Sequence, residues 1–212
     1  MDVVVAGGHG KIAMRLLRRL AEGGDRARGL IRNPDHAADL EAAGAEAVLC
    51  DLEAQDDVSG CVEGADAVVF AAGAGPGSGA ERKQTMDLGG AVKLIDAARA
   101  AGISRYLMVS AMGADDPERA SGPMGPYLEA KAEADRRLAE SGLDFTIVRP
   151  GRLTDDPGTG RVRAGLDIGY GEVSRDDVAS TLLVCLGAGN TIGTTFDLLG
   201  GDTPIEEAVH GL

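Results

Sequence analysis

The chain has 212 residues, with 21 Lys and Arg against 34 Asp and Glu, giving a formal net charge of −13. That length fits one domain with a core of its own, and 44% hydrophobic with 26% charged residues is a globular balance that excludes a disordered chain or a coiled coil. Only four lysines (Lys11, Lys83, Lys93, Lys131) and no basic stripe exclude nucleic acid and anionic membrane as expected partners. No apolar run approaches the ~20 residues of a membrane span, and Met1-Asp2 leads directly into an apolar run, so a cytoplasmic location is expected. The three cysteines, Cys50, Cys61 and Cys185, stand at unrelated spacings beside apolar residues and read as small buried hydrophobes, not disulfides or metal ligands. His9, His36 and His210 lack ligand spacing, so no metal is expected.

The first element, Asp2–Ala6 (DVVVA), is an apolar β-branched run that stops at glycines, the pattern of a strand buried on both faces of a parallel sheet. Behind the glycines, Ile12, Leu16, Leu17 and Leu20 fall at helical spacing. The alternation continues with strands at Ala27–Ile31, Ala47–Cys50, Ala67–Ala71, Tyr106–Ser110 and Phe145–Arg149. Helices are expected between them at Asp35–Ala43, Ala54–Cys61, Thr85–Ala101 and Tyr127–Ser141. Such alternation predicts right-handed βαβ crossovers and an α/β fold with one doubly wound parallel sheet. After Pro150 the periodicity weakens across Gly151–Gly171, a loop-rich substrate region. A helix capped by Ser174, a strand at Thr195–Leu199 and a short helix from Pro204 complete a single domain. The paired acids Asp115-Asp116, Asp155-Asp156 and Asp176-Asp177 read as caps and solvated turns, and Ala74–Ala80 as a lid-like connector.

Gly7-Gly8-His9-Gly10-Lys11-Ile12-Ala13 gives G-x-x-G-x-x-A between the first strand and the first helix. Small residues there allow a tight turn, approach of backbone N–H groups to a pyrophosphate, and close helix–strand packing, so the loop predicts dinucleotide binding. His9 reads as a tolerated turn residue. The second strand ends in Arg32-Asn33-Pro34 without an acid, which favours NADP(H) over NAD(H), Arg32 clamping the 2′-phosphate. Asp51 and Leu52 are expected beside the adenine, and the backbone of Ala71-Ala72-Gly73 beneath the cofactor.

Tyr127 and Lys131 stand four residues apart on one helix face, and Ser110 ends the preceding strand at the carboxyl edge, where open α/β sheets bind ligands. A phenol is a weak acid–base catalyst at its ordinary pKa of ~10, and a neighbouring ammonium stabilises its phenolate. Ser110 would donate to a substrate oxygen, Tyr127 exchange the proton, and a nicotinamide exchange the hydride.

These residues carry a family resemblance over nearly the whole length, in VVVAGGHGKIA, LIRNP, CDLE, VVFAAG, YLMVSA, PYLEAKAEAD and FTIVRPGRLTDDPGTG. The chain resembles the atypical short-chain dehydrogenases/reductases, in the compact branch with epimerase-like and NmrA-like members. The resemblance implies a Rossmann fold, an NADP-binding site that includes Lys131, and the backbone of Pro150-Gly151 near the nicotinamide carboxamide. It gives Asp87, in Thr85-Met86-Asp87, the place of the family's catalytic Asn. Arg149 is either part of that region or a structural ion-pair partner. The implied function is reversible hydride transfer with a small carbonyl, quinone or sugar-like substrate, in a monomer or small homo-oligomer. The alternatives are an NmrA-like sensor of the dinucleotide's redox state that binds a protein partner, and epimerisation or dehydration with a tightly held cofactor.

Overall fold

β1 (Asp2–Ala6) is buried from Val3 to Ala6, and its side chains alternate between the two faces of the sheet. Val3 and Val5 enter one apolar layer, while Val4 and Ala6 enter the other. The computed structural model describes every residue except Pro76, Ala120, Ser121 and Pro123, together with the side chains of Ala80 and Arg119. α1 (Lys11–Glu22) buries Ile12, Ala13, Leu16, Leu17 and Leu20, the face its spacing predicts. β2 (Arg26–Ile31), α2 (Ala37–Ala42), β3 (Glu46–Leu49) and β4 (Ala67–Phe70) continue the alternation. α3 (Ala80–Arg82) then runs through a π-helical stretch, Lys83–Gly90, into α4 (Ala91–Ala100). β5 (Arg105–Val109), α5 (Met124–Ala139) and β6 (Asp144–Pro150) follow. Next come β7 (Arg152–Thr154), β8 (Arg161–Gly165), β9 (Glu172–Ser174), α6 (Arg175–Gly187), β10 (Thr194–Gly200), β11 (Thr203–Pro204) and α7 (Ile205–His210).

The main sheet has the order β11-β8-β10-β6-β5-β4-β1-β2-β3. β1 through β6 and β10 pair in parallel, so the doubly wound sheet is present, and the winding reverses between β1 and β4. That reversal opens a crevice at the carboxyl ends of the strands. α1 and α6 supply Leu16, Leu17, Leu182 and Cys185 to one apolar layer; α4 and α5 supply Leu94, Ile95 and Leu138 to the other. Ser174 caps α6 as expected, its side chain accepting from the Asp177 N–H. Among the described residues no helix is long and apolar enough to cross a membrane.

Several expectations need correction. The region after Pro150 is not only loop: β7 and β9 form a small parallel pair, and β8 joins the main sheet antiparallel to β10. These strands are too short and too rich in Gly and Asp to show a period. The expected helix at Ala54–Cys61 is a series of turns closing in a single 3-10 turn, Ser59–Cys61, because Asp51 and Asp57 accept from nearby backbone N–H groups and favour turns over a helix. Cys50 and Cys61, expected as separate thiols, are bonded as a disulfide with their Cα atoms 6.3 Å apart, a separation within bridging range. The turns between them bring the sulfurs together, which spacing alone does not reveal. Cys185 is a free, buried cysteine as expected. Pro76 of the expected Ala74–Ala80 lid lies outside the described residues.

Candidate functional site

The glycine loop turns at Gly7, whose φ of +75° suits glycine, and a Cβ there would stand 2.7 Å from Ala72 Cα. A Cβ on Gly8 would stand 2.9 Å from Gly29 Cα, so this glycine permits the close packing of loop on β2. The turn is held by Gly10 N–H donating to Gly7 O at 2.7 Å and Gly8 N–H donating to Leu30 O at 2.8 Å. Gly10 caps α1 without a side chain, and the first turn carries no acid. The helix therefore presents the positive end of its dipole and backbone donors unopposed at the crevice, and this cradle fits a dinucleotide pyrophosphate. Ala71 and Ala72 lie against the loop as expected, with Ala71 N–H donating to Ala6 O at 3.1 Å. Ile12 is buried beneath it in the core.

The side chains around the cradle have definite partners. His9 stacks on His36 with ring centres 3.7 Å apart, and its Nε2 lies 2.7 Å from Asp39 Oδ2. Lys11 Nζ donates to Asp155 Oδ2 at 2.5 Å, and Arg175 meets the other oxygen of Asp155 at 3.0 Å, which ties the segment after β7 to the start of α1. Asp176 pairs with Arg19 at 2.8 Å, while Asp177 is buried and accepts from Gly160 N–H at 2.8 Å and Thr159 N–H at 3.0 Å. These last two acids are structural, although Asp177 is not solvated.

At the tip of β2, Arg32 is 54% exposed and its Nη1 lies 3.3 Å from Glu53 Oε2. Asn33 Oδ1 accepts from Asp35 N–H at 3.1 Å and caps the turn beyond the strand. Asp51 Oδ1 accepts from the N–H groups of Glu53 and Ala54, at 2.9 and 3.1 Å, and so shapes the turn after β3. Leu52 is buried in the α4 layer, and Lys93 Nζ donates to its carbonyl at 3.1 Å.

Ser110, Tyr127, Lys131 and Asp87 come together past the ends of β4 and β5. Lys131 is buried; its Nζ lies 3.1 Å from Val109 O, 3.3 Å from Asp87 Oδ1 and 5.9 Å from the Tyr127 ring centre. Asp87, also buried, sits in the π-helical stretch, and its Oδ2 accepts from Ala74 N–H at 3.1 Å. A Cβ at Gly73 would stand 3.0 Å from Asp87 Oδ1, so the absence of a side chain at Gly73 admits this carboxylate. Ser110 is buried with its hydroxyl beside Asp135. Burial pushes the Tyr127 phenol above its ordinary range; Lys131 opposes that shift, while Asp87 and Asp135 add to it. The ammonium acts in the direction expected from the sequence, and burial outweighs it.

Arg149 Nε donates to Asp135 Oδ2 at 2.9 Å, which makes Arg149 an ion-pair partner. Burial raises the Asp135 carboxyl, while the nearby Ser110 hydroxyl and Arg149 hold it down. Pro150 accepts from Met112 N–H at 3.1 Å and Gly151 N–H donates to Leu198 O at 3.0 Å, so both are fixed at the sheet edge. Sequence reasoning missed Glu53, Arg82, Thr85 and Asp135. For Asp135 a signal existed, since it stands one helical turn beyond Lys131 on the same face.

Comparison with known proteins agrees with this fold. A Bacillus subtilis protein named as the uncharacterized sugar epimerase YhfK is 44% identical, the alignment covering all of both chains. A solved structure from Bacillus halodurans, described as a candidate NAD-dependent epimerase/dehydratase, is 40% identical with a TM-score of 0.95 over the full length of both chains. The Lactococcus lactis oxidoreductase YlbE is 27% identical with a TM-score of 0.88, covering 100% of this chain and 96% of that one. The NAD(P)H-binding family model matches residues 7–188, from the glycine loop through α6. The chain belongs to this NAD(P)H-binding family, with a Rossmann-like fold that fits the atypical short-chain dehydrogenase/reductase branch.

Proposed function

We propose that this chain is an NADP(H)-dependent oxidoreductase or epimerase-like enzyme acting at the carbonyl or alcohol carbon of a small carbonyl, quinone or sugar-like substrate. The observation that carries the reading is the gathering of Ser110, Tyr127 and Lys131 at the carboxyl edge, with Lys131 Nζ 5.9 Å from the Tyr127 ring and bonded to the carbonyl that precedes Ser110. The Gly7–Gly10 cradle would hold the pyrophosphate, and Arg32 supports a preference for the 2′-phosphorylated dinucleotide. When bound, the nicotinamide supplies or accepts the hydride. Ser110 Oγ donates to the substrate oxygen, and Tyr127 Oη gives or takes the proton there. Asp87 and the Val109 carbonyl hold Lys131 in place behind the phenol. A phenol kept above its ordinary range is protonated at neutral pH, the state that donates to a carbonyl oxygen during reduction. Replacing Tyr127 with Phe is expected to abolish turnover while leaving dinucleotide affinity unchanged. Equal turnover in the variant would remove Tyr127 from the mechanism.

One observation favours a second reading. Lys131 is engaged by Asp87, and the Tyr127 phenol is raised, as befits a protein that binds the dinucleotide and reports its redox state to a protein partner. Such a sensor would separate NADP+ from NADPH strongly in a binding titration and would be indifferent to the Tyr127 variant. An epimerase would instead show turnover without net consumption of NADPH.

A further inference from the structure

Glu53 lies between two arginines that come from different sides of the crevice. Arg32 Nη1, from the tip of β2, and Arg82 Nη2, from the end of α3, are each 3.3 Å from the same Glu53 oxygen, Oε2. Arg82 Nε is 3.4 Å from it as well. The other oxygen, Oε1, accepts from Thr85 Oγ1 at 2.8 Å. The backbone beneath Glu53 is fastened by Lys93 Nζ, which donates to the carbonyls of Leu52, Glu53 and Gln55 at 3.1, 3.3 and 2.6 Å. Glu53 is therefore fixed, 22% exposed, while the Arg32 side chain that it holds is 54% exposed. In sheets of this winding, the tip of the second strand is where the adenosine ribose is read.

We propose that Glu53 and Arg82, with Arg32, form the device that sets how strongly this chain distinguishes a 2′-phosphorylated from an unphosphorylated adenosine ribose. This rests on the NADP(H) reading of the site. Two guanidiniums converging on one oxygen make a site for a dianionic phosphate, since each can donate to a separate phosphate oxygen. Glu53 is the internal anion of that site. To bind the phosphate, Arg32 and Arg82 must share or exchange this partner, and the fixed carboxylate then repels the newcomer at short range. Glu53 thus holds the preference for NADP(H) below what the two arginines alone would produce. Arg82 is the second arm of the clamp, and its Nη1 also donates to Ala74 O at 3.2 Å, on the residue whose N–H binds Asp87.

The test is a titration of NADPH and NADH, by their own fluorescence, against the wild-type chain, Glu53→Gln, Arg82→Gln and Arg32→Gln, with circular dichroism confirming the fold. Gln at 53 keeps an acceptor for Thr85 and removes only the charge. Glu53→Gln is expected to tighten NADPH about tenfold, equivalent to about 1.4 kcal/mol, and to leave NADH within about twofold. Arg82→Gln is expected to weaken NADPH selectively, and added salt to shrink both effects. Weaker NADH binding by Glu53→Gln would make Glu53 a ribose ligand and overturn the proposal. So would unchanged affinities in Glu53→Gln, or equal losses of both dinucleotides in Arg82→Gln. A wild-type preference for NADPH that Arg32→Gln abolishes but Glu53→Gln leaves alone would keep the NADP(H) reading and sink the Glu53 device. A wild type indifferent to the phosphate that gains a preference on Glu53→Gln would do the reverse.

Discussion

The two halves of the crevice are built by opposite means. On the side of β1 and β2 the site is shaped by missing side chains: Gly7, Gly8 and Gly10 bring backbone donors and an uncapped helix end to the surface. On the side of β5 and β6 it is shaped by buried charge, in the pairs Asp87–Lys131 and Asp135–Arg149, whose side chains are between 1% and 14% exposed. Backbone donors serve a ligand that brings its own charge, such as a pyrophosphate. Buried side-chain charges instead fix the ground around a phenol and a hydroxyl, at the cost of desolvating the paired groups.

The largest test of this contrast is Lys131→Met, which leaves Asp87 alone in the interior. It is expected to cost about 3–5 kcal/mol of stability in urea unfolding followed by circular dichroism, the chain having no Trp. Adding Asp87→Asn to that variant is expected to recover part of the loss, and no recovery would mean that the pair is not what holds this side. On the glycine side, Gly7→Ala forces a Cβ onto the Ala72 backbone at a positive φ. The expected cost is smaller, about 1–3 kcal/mol, with loss of dinucleotide binding as the main readout.

A third effect appears in shape more than in size. With the Tyr127 phenol raised, its proton is retained through neutrality and beyond the ordinary phenol range. The rate of carbonyl reduction is therefore expected to stay level across neutral pH and to fall only above about 10. A fall through pH 7–8 would mean that some other group supplies the proton. Smallest is Arg136→Ala, which removes ion pairs with Glu133 and Glu140 on the exposed face of α5. It is expected to leave the unfolding midpoint within measurement error, in contrast with the buried pair on the opposite face of the same helix.

The same contrast decides what the sequence reveals. The glycine side is written locally, since a strand, a G-x-x-G-x-x-A loop and an amphipathic helix occupy the first 22 residues and each predicts its neighbour. Tyr127 and Lys131 are legible because one helical turn separates them. That Asp87 reaches Lys131 depends on a π-helical stretch and on Gly73, 14 residues before it, and neither has a periodic signature. The Cys50–Cys61 bridge and the Arg32–Glu53–Arg82 contacts depend likewise on the turns after β3, whose backbone follows individual side-chain hydrogen bonds. β7, β8 and β9 escape because strands of three to five residues are shorter than the window in which alternation can be recognised.

The two ends of the main sheet bear on how copies of this chain meet. β11 is two residues long, and Pro204, opposite Arg161, has no N–H to offer a further strand. β3, at the other end, has four residues and begins at Glu46, which is exposed and paired with Arg26. Both margins resist the edge-to-edge joining through which open sheets fuse into larger ones or into fibres. Any growth of this sheet by a further strand would therefore meet a proline at one margin and a paired charge at the other.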